Sequence, residues 1–155
     1  MREEHLRPRP PQHERALDRA ADEDEERGLE RILGVVASPM NVAKLDFDVT
    51  AVCQDFRVGG HGMNEGSFHG GPPHRFRSTY TDIVEHQRIV YTYDMWIDDV
   101  HISTSITTIV LEPTDGGTRL TLTEQGVHFD GRDSGEQREI GTAGLLDALG
   151  ATLEA

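Results

Sequence analysis

Residues Thr118 to Leu153 constrain the fold more than any other part of this chain. An alternating run, TRLTLTEQG, gives way after a short charged bend to REIGTAGLLDALGATL. Alternation at period two marks a strand with one buried face, whereas Ile140, Leu145, Leu146, Leu149 and Leu153 recur at roughly helical spacing. A lone helix with one apolar face must lie on something, and the only large candidate is the face of a sheet. A curved sheet closed over a long final helix encloses an interior. The question of function then becomes what lines and fills that interior.

The segments upstream supply the sheet. Lys44 to Val52 partly alternates, and Asp55 to Val58 reads as a short strand stopped at Gly59-Gly60. Gly62 to Pro73 carries four glycines and two prolines and reads as containing a loop. Arg75 to Val84, Arg88 to Ile97, Ile102 to Leu111 and Thr118 to Gly126 read as strands. Asp115-Gly116 sits at the tip of the turn Pro113 to Gly117. Short turns between these runs imply an antiparallel meander. Residues 1 to 13, rich in Arg, Pro and His, read as a disordered tail. Residues 14 to 33 read as a helix by propensity, ended by Gly34 and Pro39, although the acidic run Asp22 to Glu26 puts charge on every face. The expected organisation is one domain: a tail over 1–13, an atypical helical segment over 14–48, and sheet plus helix over 49–155.

Composition narrows the partners. The 155 residues suffice for one core, and the net charge of -13 argues against a nucleic-acid backbone as ligand. No apolar run approaches the length of a membrane span, and the charged N-terminus lacks the apolar stretch of a secretory signal. The single cysteine, Cys53, cannot form an internal disulfide, which fits a reducing cytoplasm.

Four segments in order, QDFRVGG (54–60), YTDIVEHQRIVYTYDM (80–95), GTRLTLTEQG (117–126) and REIGTAGLLDALG (138–150), resemble the Hsp90-ATPase-activator-homologue-like proteins of the START-like (SRPBCC) superfamily. The resemblance covers residues 54–153, about two thirds of the chain. It implies an α+β helix-grip fold, in which a curved antiparallel sheet wraps around a long C-terminal helix. The first 48 residues depart from the family's pattern. They hold no aromatic residue before Phe47, where the family carries aromatic pairs. Two explanations stand: a divergent head that docks differently, or a head read in a shifted frame from GC-rich DNA, in which case the first strand and one interior wall are absent or improvised and a free sheet edge invites pairing with a second copy.

Strand parity selects the candidate residues. Glu124 shares the apolar side of Leu120 and Leu122 and so points toward the helix. It is the candidate polar anchor for a ligand, or a general acid/base. The plainer reading is a rim residue bonded to a backbone amide or an Arg. Tyr91, Tyr93 and Met95 share one strand face with Ile89, and Phe76 and Tyr80 share the face of the neighbouring strand. They are read as an interior wall or an aromatic core, which are compatible with a helix overhead. Leu122, Leu145 and Leu149 complete the expected ligand contacts, and Phe129 is a candidate lid. Arg138 is a candidate partner for Glu124 across the mouth. Trp96 reads as a rim or surface residue. His61, His69 and His74, with Glu65, would have to converge to hold a metal, and solvated loop histidines are the expected reading. No cofactor-binding motif is present.

Three functions compete. The first is a small cytoplasmic ligand-binding module that holds a small apolar or amphipathic molecule between sheet and helix. The second is a cyclase- or hydrolase-type enzyme that uses Glu124 to move protons. The third is a chaperone-linked or stress-linked interaction module, as the family name implies.

Overall fold

The computed structural model describes residues 12–18, 47–129 and 131–153. Among these residues, seven strands, β1 (Gln12–Asp18), β2 (Phe47–Gln54), β3 (His61–Phe68), β4 (Pro73–Val84), β5 (Arg88–Ile97), β6 (Val100–Thr114) and β7 (Gly117–His128), precede one helix, α1 (Gly135–Leu153). All pair antiparallel in the order β1-β7-β6-β5-β4-β3-β2. β2 to β7 form the expected meander. The first strand alone departs from sequential order, by pairing with the last.

That first strand corrects two expectations. Gln12 and His13 belong to β1 rather than to a loose tail, and Glu14 to Asp18 are extended rather than helical. The rest of the expected helix lies outside the described residues. The flank of β7 from Gly117 to Thr123 presents a row of backbone donors and acceptors. A seven-residue ladder against it outweighs a helix propensity worth tenths of a kcal/mol per residue.

The segment from Gly62 to Pro73 is also corrected. It holds the whole of β3 after its first residue, and the loop shrinks to His69–Pro72. The inward positions of β3 are Gly62, Asn64 and Gly66, all buried, so the strand carries no hydrophobic alternation to reveal it. Gly62 is needed at its position. A Cβ there would stand 2.5 Å from Ser78 Oγ on β4. The short strand expected at Asp55–Val58 is instead a tight turn, with Arg57 N–H donating to Asp55 C=O and Gly60 N–H to Arg57 C=O.

The core lies between one face of the sheet and α1. Phe76, Tyr80, Ile89, Tyr91, Tyr93, Ile109, Leu111, Leu120 and Leu122 meet Leu146 and Leu149, with Leu153 and Phe56 packed alongside. Ile140, expected on the apolar stripe, is 69% exposed. At about 100° per residue it lies some 180° around the helix from Leu149, whereas Leu146 and Leu153 are close in phase to Leu149. The start of α1 is capped within its own sequence. Ser134 Oγ accepts from Gln137 N–H at 3.2 Å, an N-cap, and donates to Gln137 Oε1 at 3.4 Å.

All three tyrosines of the chain lie in this core. Burial raises the pKa of Tyr80, Tyr91 and Tyr93 in each case, and the negative charge of Glu124 adds to the rise at Tyr91 and Tyr93. A folded-state pKa above the unfolded value of about 10 gives stability that is complete below pH 10 and is lost as pH rises further. In an alkaline titration, tyrosinate absorbance is therefore expected to stay flat through pH 10. It should then appear together with loss of the circular-dichroism signal. Ionisation of one or more tyrosines in the still-folded protein is the contrary result.

Candidate functional site

The cross-strand register converts the parity argument into a map of the interior face. Tyr80, Tyr91, Thr107 and Glu124 lie in one row across β4 to β7. Ser78, Tyr93, Ser105 and Gly126 lie in the next, and Phe76, Met95 and Ser103 follow, with His128 beside Ser103. Tyr93 packs on Phe76 with ring centroids 4.8 Å apart, and Tyr91 stands 6.0 Å from both Tyr93 and Tyr80. The Tyr80 hydroxyl accepts a hydrogen bond from Gln54 Nε2 at 2.8 Å.

At the helix end of this face sits a polar knot. Tyr93 Oη donates to Glu124 Oε1 at 2.5 Å and accepts from Arg138 Nη1 at 2.7 Å. Arg138 Nη2 donates to Ser103 Oγ at 2.7 Å, and Nε donates to Asp133 Oδ2 at 2.6 Å. The same Asp133 oxygen faces Nη2 at 2.5 Å. Asp133 is a tenth exposed and Arg138 a sixth, so the pair is largely withdrawn from water. The second Asp133 oxygen, Oδ1, accepts from Ser134 N–H, which ties the pair to the helix cap. Burial alone would lower the pKa of Arg138, but Tyr93, Asp133 and Glu124 together raise it, so the guanidinium stays charged.

Arg138 and Glu124 thus meet through the Tyr93 hydroxyl and not in the direct pair expected from the sequence. Arg138 reaches this place because eleven residues at about 100° each bring it within about 20° of Leu149, on the stripe of α1 that faces the sheet. From the sequence Asp133 reads only as a turn or cap residue, and Ser103 is not singled out. Asp133 lies in a bend whose direction no periodicity sets, and Ser103 joins the cluster only through the β6 register.

Of the other candidates, Phe76, Tyr80, Tyr91, Tyr93, Leu122 and Leu149 are buried together, while Met95, Glu124 and Leu145 are partly exposed. Phe129 is not brought to this group. It is 53% exposed and lies edge-on to His101, 5.0 Å away. Parity explains this, because Glu124, Gly126 and His128 point inward and Phe129 follows Val127 outward. Trp96 stacks on His101 at 4.8 Å, with the Arg77 guanidinium over its ring. His61 bonds to Thr79 and His74 lies against Phe68, so the loop histidines do not converge. Among the described residues, no three His, Cys, Asp or Glu side chains are grouped to hold a metal ion. Nor is any described helix long and apolar enough to cross a membrane.

Comparison with known proteins places this geometry in context. Residues 29–154 match the model of the family described as Activator of Hsp90 ATPase homolog 1-like protein. A solved structure of a protein from Rhizobium loti is 39% identical, with a TM-score of 0.76 over 92% of this chain and 95% of that one. A protein from Rhizobium leguminosarum is 30% identical, with a TM-score of 0.80 over 94% of each chain. The Activator-of-Hsp90-ATPase-homolog-like protein from Aeromonas hydrophila is 18% identical, with a TM-score of 0.64 over 94% of this chain and 92% of that one, and shares the fold. No functionally curated protein matches the chain. The family match begins well inside the N-terminal segment that was read as foreign to the pattern.

Proposed function

We propose that this chain, which belongs to the Activator of Hsp90 ATPase homolog 1-like family and has its START-like fold, holds a small amphipathic molecule between its sheet and final helix. The observation that carries the reading is the polar knot of Tyr93, Glu124 and Arg138, set beside a hydrophobic core that also encloses the hydroxyls of Ser78, Ser103, Ser105 and Thr107. A packed core gains nothing from enclosing such groups, because burying them costs more than burying hydrocarbon of the same shape. A binding interior does gain, since a few fixed polar groups in an apolar wall orient a ligand. The ligand's apolar body packs against Tyr91, Leu122 and Leu149, and its polar end meets Glu124.

Fluorescence titration with the neutral apolar dye Nile red tests the reading. Saturable binding near one dye per chain is expected, with affinity reduced at least about tenfold by Leu122→Lys, which places a charge in the apolar wall. Absence of saturable binding by the folded wild-type protein overturns it. Turnover of a substrate panel that is lost in Glu124→Gln with binding retained would favour the acid/base alternative instead.

A further inference from the structure

The polar knot also constrains the ligand's head group. Every nitrogen of Arg138 is engaged, Nε with Asp133, Nη1 with Tyr93, and Nη2 with Ser103 and Asp133. The guanidinium, the one Lys or Arg charge at the site among the described residues, is therefore consumed by the fold and is a poor receptor for an anionic head. Glu124 differs. Its Oε1 accepts from Tyr93, while Oε2 makes no hydrogen bond or ion pair among the described residues, and the residue is partly exposed.

Hydroxyls lie beside it. Thr107 is directly across from Glu124 on β6, and Ser105 is across from Gly126. Both are at least 97% buried, and among the described residues neither hydroxyl meets full hydrogen-bond geometry with a partner, although the Tyr91 hydroxyl lies close to Thr107 and the Tyr93 hydroxyl close to Ser105. Buried hydroxyls short of full hydrogen bonding are costly, and they mark places that a bound group or water completes. Glu124 is itself partly exposed. The β1 ladder ends where Gln12 meets Thr123, so from Glu124 onward β7 has no strand beside it on that flank among the described residues. Gly126 on the same flank is exposed.

From these observations we infer that the ligand carries a hydrogen-bond-donating, cationic head, an amphipathic amine, whose ammonium sits on Glu124 Oε2 and whose remaining protons reach Thr107 and Ser105. The inference rests on the ligand-binding reading above. An ammonium has three donors and no acceptor, which suits one free carboxylate oxygen and two hydroxyl oxygens that can accept. Asp133 is matched by Arg138, with His128 Nδ1 also 3.5 Å from its Oδ2, whereas Glu124 is in direct contact with no cation among the described residues, so a cationic head complements Glu124 and a carboxylate ligand does not.

Calorimetric titration with decylammonium, decanol and decanoate, matched in chain length and kept below micelle formation, tests it. Decylammonium is expected to bind at least about tenfold more tightly than decanoate, the size of one charge-assisted hydrogen bond. The chain's net charge of -13 attracts any cation, so the decisive readout is the change on mutation. Glu124→Gln should abolish the ammonium preference and leave decanol within about twofold, while Glu85→Gln, the same charge change at an 87% exposed side chain, should not alter the ratio. Should Glu124→Gln fail to fold, the wild-type ratio compared with that of Glu85→Gln at low and high salt still decides. A preference that salt removes is long-range attraction and overturns the inference. Equal or tighter binding of decanoate overturns it too, as does failure of decylammonium to bind where Nile red binds. In each of these cases the ligand-binding reading stands. Failure of Nile red and of all three amphiphiles removes both.

Discussion

Arg138→Met is expected to lower the stability of this protein by about 3–5 kcal/mol, the cost of leaving a buried ion unpaired. For a chain of this size that is a fall in melting temperature on the order of 10 °C. The loss has three parts. Asp133, a tenth exposed, loses its guanidinium partner. Ser103 loses the donor to its hydroxyl, and Tyr93 loses one of its two hydrogen bonds. Methionine keeps the apolar stem that packs in phase with Leu149, so the change reports the charge and not the volume. The control is the double variant Asp133→Asn with Arg138→Met. With the carboxylate gone, no uncompensated charge remains, and the double variant should recover at least about 1 kcal/mol relative to Arg138→Met alone. Urea unfolding of the four proteins completes the cycle. Additive losses would show that Asp133 and Arg138 do not act as a pair.

This knot also shows how far the sequence reaches. Tyr93 and Glu124 were legible because strand parity is strict: each residue follows its neighbours at i±2 onto one face, and the apolar ones declare which face is buried. Their contact was less legible, because it needs the β5–β6–β7 register, and register is fixed by turns and a bulge between Met95 and Trp96 that the sequence does not announce. Arg138 was singled out at the helix start, yet its inward direction follows only from its phase with Leu149. Ile140 was misplaced for the same reason, since it is apolar but out of phase. β3 was missed because its inward residues are two glycines and an asparagine, which carry no hydrophobic signal; Gly62 is there for space beside Ser78. β1 was missed because its conformation is set by the free flank of β7, a hundred residues away in the chain.

The largest backbone effect is expected at Gly60. Its neighbour Gly59 has φ +78° with open space around it, so Gly59→Ala strains one left-handed residue and should cost about 1 kcal/mol. Gly60 is different, because its φ is unremarkable and space is the obstacle. A Cβ there would be driven into the Asp55 carbonyl oxygen and would lie 2.9 Å from the Arg57 carbonyl oxygen and 3.0 Å from the Asp55 carbonyl carbon. All three are backbone atoms, so no side chain can swing away. The turn cannot open cheaply either. Gly60 N–H is bonded to Arg57 C=O, Gly60 C=O accepts from Tyr80 N–H, and Tyr80 C=O accepts from Gly59 N–H. These bonds pin the turn to β4 beside Tyr80, which is 1% exposed and anchors Phe56 edge-on at 5.1 Å. Gly60→Ala must therefore break the turn or move the strand that carries Tyr80, and about 3 kcal/mol or more of destabilisation is expected. Chemical unfolding of Gly59→Ala and Gly60→Ala side by side checks this. Equal losses would mean that the second glycine serves conformational freedom, as the first does, and not the close approach of two backbones.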